Sequence, residues 1–176
     1  MSTQAAPMPT PRTSKSSRRA LALAERLEQG ANALAAFAET LTDAEWRTPV
    51  GPRDGRPVGV AIHHVANVYP IEIGLAQTLA AGKPVEGVTM DAINEMNAGH
   101  AKDNAGVGKK ETIELLRSNS TAAAAAIRAL TDEQLDSAAA ASLYFGAPIT
   151  CQFMLEDHAV RHSYHHLFRI RAALKR

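Results

Sequence analysis

HAVRHSYHHLFRI, residues 158–170, sets four histidines along one apolar run. At about 100° per residue, a wheel centred on His162 gathers Cys151, Leu155, His158, Ala159, His166, Ile170 and Ala173 into one stripe. The stripe reads as a helix face turned toward a core. Residues four apart on such a face hold their Cβ atoms about 5–6 Å apart, close enough for two imidazoles to meet one metal ion. His162 and His166 have that spacing. His158 lies on the same stripe but two turns, about 12 Å, from His166 along a straight helix.

A third ligand is available upstream in PVGVAIHHVANV, residues 57–68. A wheel centred on His64 collects Pro57, Val60, Ala61, Val68, Ile71 and Leu75 within about 60°. His64 therefore faces a core, whereas His63 shares its side with Gly59, Gly74 and Gln77. The expected ligand set is His64, His162 and His166, with His63, His158 and His165 open as substitutes for one of them. Three buried imidazoles without an ion would need three satisfied sets of hydrogen bonds. Three histidines around an ion leave a position for water or substrate, the arrangement of a catalytic rather than a structural zinc-type site.

Outward from these segments the chain reads as helices. Leu27, Ala31, Leu34, Ala38 and Leu41 give residues 18–41 helical period. Thr42 and Glu45 resemble a capping box, followed by a Pro- and Gly-rich loop. Pro57 suits a first helical position, and the helix it opens runs to about Leu79 with a kink expected at Pro70. A third helical region falls in two pieces, 90–103 and 110–130, and 131–146 reads as a loop. Residues 148–174 read as one long helix, and nothing alternates with the period of a strand. The fold class is all-α, an up-down four-helix bundle with an interrupted third helix.

The 176 residues suit one domain, 18–176, behind a Ser-, Thr- and Pro-rich tail, 1–17, too polar to offset the entropy of ordering. A formal net charge of +1 gives no electrostatic pull toward nucleic acid or membrane, and no apolar stretch approaches about 20 residues. The lone cysteine, Cys151, fits a reducing compartment, and a cytoplasmic protein is expected. Ferritin-like di-iron bundles need paired Glu-x-x-His motifs, which are missing: three residues after Glu156 stands Ala159, and after Glu95, Ala98.

The segments LTDAEW (41–46), PVGVAIHHVANV, LTDEQL (130–135) and HSYHHLFRI (162–170) together resemble the DinB-like superfamily, which includes YfiT-like proteins and mycothiol-dependent maleylpyruvate isomerases. The resemblance spans about residues 20–174. It implies one ligand from the second helix, matching His64, and two from an HxxxH pair, matching His162 and His166. Asn67 stands where the family often carries an acid, and Leu167–Phe168 stand in place of its Gly-Gln. The resemblance further implies a divalent ion, zinc or nickel first and iron next, often a dimer, and in some members a low-molecular-weight thiol.

The expected function is that of a metalloenzyme activating water or a low-molecular-weight thiol against a small-molecule electrophile, as a hydrolase, thiol transferase or isomerase. The alternative is a non-catalytic, metal-binding, stress-associated dimer. Asn67, Asn94, Asn97 and His158 are candidates to orient substrate or ligands. Phe153, Val160, Tyr164, Leu167 and Phe168 form a second apolar face on the last helix, which a homodimer or the third helix would cover.

Overall fold

The computed structural model describes residues 17–52 and 54–176. The expected tail lies outside the described residues except for Ser17, whose side chain caps the first helix by accepting from the Ala20 amide at 3.0 Å. Along the chain run α1 (Arg18–Glu39), α2 (Asp43–Trp46), α3 (Val58–Ala80), α4 (Met90–Asp103), α5 (Lys109–Arg128), α6 (Asp132–Asp136), β1 (Ala138–Ala140), β2 (Pro148–Thr150) and α7 (Cys151–Met154). A π-type turn, Leu155–Val160, joins α7 to α8 (Arg161–Leu174), and together they form the C-terminal helix.

Four long helices make a bundle. α1 packs against α5 and the C-terminal helix, and α3 packs against the same two, so α1 and α3 occupy opposite corners. Leu23, Leu27, Leu34 and Ala38 of α1 and Leu116, Ala123, Ala124 and Ile127 of α5 are buried, as their helical spacing requires. Ion pairs Glu28–Arg128 (2.5 Å) and Glu39–Arg117 (2.7 Å) join the rims of this seam.

The two pieces of the expected third helix have different roles. α5 is a bundle helix, whereas α4 buries no residue and packs mainly on α3. The Thr42–Glu45 capping box forms with both limbs present. It delivers Trp46, whose Nε1 donates to the Val107 carbonyl at 3.1 Å. Its indole lies so close to Gly59 that a Cβ there would stand 2.2 Å from the ring, so α3 needs glycine at that turn.

Pro57 caps α3 rather than opening it. Pro70 removes the amide that would bond the Ala66 carbonyl, and Asn119 of α5 supplies a replacement, donating Nδ2 to that oxygen at 2.8 Å. α3 continues through the proline as one helix.

Three expectations need correction. Residues 131–146 are not a plain loop: a second capping box, Thr131 with Gln134, starts α6. Strands do occur, since β1 and β2 pair antiparallel with Ala139 opposite Ile149. The last helix begins at Cys151, capped by Thr150, and not at Pro148, which lies in β2. The second apolar face of that helix is partly covered by α1 and not by α5: Tyr164 lies where a Gly30 side chain would be, 2.7 Å from a Cβ at that position, and its hydroxyl donates to the Arg26 carbonyl. Val160 and Leu167 are buried, leaving Phe153 and Phe168 exposed. Among the described residues no helix is long and apolar enough to cross a membrane.

Candidate metal centre

α3 and the C-terminal helix meet face to face, and their apolar stripes carry His64, His162 and His166 into one place. These three form the one group of His, Cys, Asp and Glu among the described residues in which a ligand atom from each lies within 4.8 Å of the others. His64 and His166 are 6% and 5% exposed, and the His162 side chain 16%. Ring centroids stand 5.1 Å apart for His64–His162, 5.4 Å for His64–His166 and 4.9 Å for His162–His166.

His162 is oriented by Glu72, two turns beyond His64 on α3. His162 Nδ1 lies 2.5 Å from Glu72 Oε1. A carboxylate oxygen accepts, so Nδ1 carries the hydrogen and Nε2 presents its lone pair. That lone pair faces His64 Nε2 at 3.2 Å. Two nitrogens bound to one tetrahedral ion at about 2.0–2.1 Å stand about 3.3 Å apart, so the spacing matches an ion between them. The carboxylate-histidine pair is also the usual support of a metal-ligating imidazole.

Burial favours the neutral form of His64 and His166. Desolvation, then the neighbouring His162, pushes His64 down to about 3, and the same two causes push His166 down strongly. His64 Nδ1, His166 Nδ1 and Glu72 Oε2 are buried without a hydrogen-bond partner. Neutral imidazoles, a fixed tautomer and unpaired buried polar atoms are what a three-histidine cation site requires, and the donor set fits zinc, nickel or iron.

The other candidates fall elsewhere. His158 stands outside the triad, in the π-type turn, with Glu72 and His162 among its charged neighbours. Its Nε2 sits 3.0 Å from the Tyr144 hydroxyl, which donates to Asp157 at 2.7 Å. His165 is exposed, edge-on to His166. His63 Nδ1 lies 2.8 Å from Nε2 of His100, and the two rings stack. Asn67 and Asn94 are exposed and make no side-chain hydrogen bond to another described residue, so the structure gives them no hold on the ligands. Asn97 is half-buried on α4 with Oδ1 buried and unpartnered. Cys151 is fully buried and its thiol is pushed up to about 11, against a nucleophilic role.

Glu72 escaped sequence reasoning. It lies about 80° round the helix from His64, just outside the face drawn around it. Its signal was available all the same, as the one charged residue in α3.

The sequence pattern of the DinB superfamily matches residues 26–168. The chain belongs to the DinB superfamily. Its fold is that of YfiT from Bacillus subtilis, described as a probable metal-dependent hydrolase with an unusual four-helix bundle topology. The two superpose with a TM-score of 0.72 at 23% identity, over 94% of this chain and 91% of that one. No curated protein matches the sequence.

Proposed function

We propose that this DinB protein is a metal-dependent enzyme that holds one divalent ion, zinc or nickel before iron, through His64, His162 and His166. The observation that carries the reading is the 3.2 Å approach of two imidazole nitrogens beside a buried carboxylate in an otherwise apolar seam. The description of YfiT as a metal-dependent hydrolase supports it from a shared fold. A bound ion supplies Lewis acidity, activating water or a low-molecular-weight thiol for attack on a small electrophile.

The protein's residues do the rest. Glu72 fixes the His162 tautomer. The Tyr69 hydroxyl, 2.7 Å from Ser163 Oγ, ties α3 to α8 between the two C-terminal ligands and holds the rings in register. His64 and His166 are buried, and low water content strengthens charge interactions around them. Three protein ligands leave a position open for the nucleophile. Two copies pairing over Phe168 would complete the assembly, and sedimentation of the purified protein decides this.

The deep burial of His64 and His166 favours one rival, a non-catalytic protein whose ion only stabilises the bundle. A turnover screen separates the two, using activated esters with water and a dinitrophenyl halide with small thiols. The enzyme reading expects turnover by the metal-loaded protein that disappears in His64→Ala while helical content is kept. One bound ion with no turnover on any of these substrates favours the rival.

A further inference from the structure

The loop between α2 and α3 carries a charged unit that the triad does not use. Arg56 is locked by Asp54, its Nε and Nη2 both donating to that carboxylate at 2.8 Å. Asp54 also receives Arg169 Nη2 at 3.0 Å. Arg169 is one turn beyond His166 on α8, so Asp54 ties Arg56 to the helix that carries His162 and His166. The third guanidinium nitrogen, Arg56 Nη1, is buried and has no hydrogen-bond partner among the described residues.

An unpaired buried donor on a charged group is costly, and where one persists it calls for a partner from outside the chain. Arg56 and Arg169 share the one carboxylate of Asp54. Arg56 is among the charged neighbours of His64, His166 and His100. His100 Nδ1 is a second buried nitrogen without a hydrogen-bond partner among the described residues. The Arg56–Asp54 bond is strong, and its hydrogen bonds hold the Asp54 carboxyl down at about 2. The guanidinium is thus held in place before any ligand arrives, with both Nη1 hydrogens to spare.

We propose that Arg56 is the substrate-recognition residue of this site, binding a carboxylate on the small molecule whose other end reaches the histidine triad. The inference rests on the metal reading above for the identity of that other end. A planar guanidinium with one face occupied by Asp54 and one nitrogen free suits a carboxylate at a fixed angle, which a lysine would not reproduce.

The test compares 3-mercaptopropionate with 2-mercaptoethanol as ligands of the metal-loaded protein, by calorimetry and by the NMR signal of the Arg56 side-chain Nε–H. Metal content is measured on the same samples. Arg56→Gln is expected to reduce the preference for the carboxylate thiol by at least about tenfold, with metal content and 2-mercaptoethanol affinity unchanged. Arg56→Lys, which keeps the charge beside Asp54 if the neutral variant fails to fold, is expected to lose most of the same preference. An unchanged preference in either folded variant, with no shift of the Arg56 signal, overturns the proposal. If the wild type holds no metal, the metal reading fails separately, and propionate against propionamide then reads Arg56 alone: a saturable Arg56 shift with propionate only supports it, and equal responses overturn it.

Discussion

The α1–α5 seam and the seam between α3 and the C-terminal helix are both buried, yet they are built from opposite materials. Neither α1 nor α5 buries an ionisable group among the described residues; what they bury is mostly Leu, Ile and Ala, with the hydroxyls of Thr112 and Ser120, and ion pairs close the rim. The second seam buries His64, Glu72 and His166 beside Tyr69 and Ser163. Apolar area stabilises in proportion to what it removes from water, whereas buried ionisable groups are costly unless each is paired. One seam holds the bundle together, and the other spends part of that stability to keep three imidazoles converging on one point.

The contrast can be broken from the apolar side first. Leu34→Ala leaves a cavity at a fully buried position and is expected to destabilise the protein by about 2–5 kcal/mol. Urea unfolding measures this, and metal content per folded chain is expected to stay unchanged. Coupled loss of metal would show that the seams are not separate.

The polar seam answers to pH instead. The folded pKa of His64, about 3, lies below its ordinary value of 6.5, and His166 is shifted the same way. The unfolded chain therefore binds more protons than the folded one below pH 6.5. Stability of the metal-stripped protein is fully present above that pH and lost as pH falls toward about 3. Denaturant midpoints across this range are expected to fall in wild type and to flatten in a His64→Phe, His166→Phe double variant. A wild-type profile as flat as the variant's contradicts the assignment.

Glu72→Gln sharpens the comparison further. It keeps the shape at Glu72 and removes the carboxylate that holds His162, so metal affinity is expected to fall about 10- to 100-fold, with little change in unfolding. Tyr69→Phe is the mildest, costing about 1 kcal/mol through the lost bond to Ser163, and it is read by thermal melts.

Much of this was legible in the sequence, for reasons that differ by residue. His162 and His166 sit four apart, a local spacing that a helix preserves, and His64 lies on a stripe of apolar neighbours. The α4–α5 interruption was visible as glycines. What escaped depends on distant partners or on departures from ideal winding. His158 was placed on an ideal helix that the chain abandons at its π-type turn. Ala138, Ala139 and Ala140 carry no strand signature and pair because Ile149 and its neighbours return beside them. Asp54 and Arg56 lie in a Pro- and Gly-rich loop, where nothing local tells which way a side chain points, and only the pairing of Asp54 with both Arg56 and Arg169 reveals them.

The most direct test of the central claim is elemental analysis of the freshly purified protein beside His64→Ala, His162→Ala and His166→Ala. The account predicts close to one divalent ion per chain in the wild type and its loss in each folded variant. A wild type that carries no ion and takes up none when zinc or nickel is added, or folded variants that keep it, would contradict the three-histidine centre.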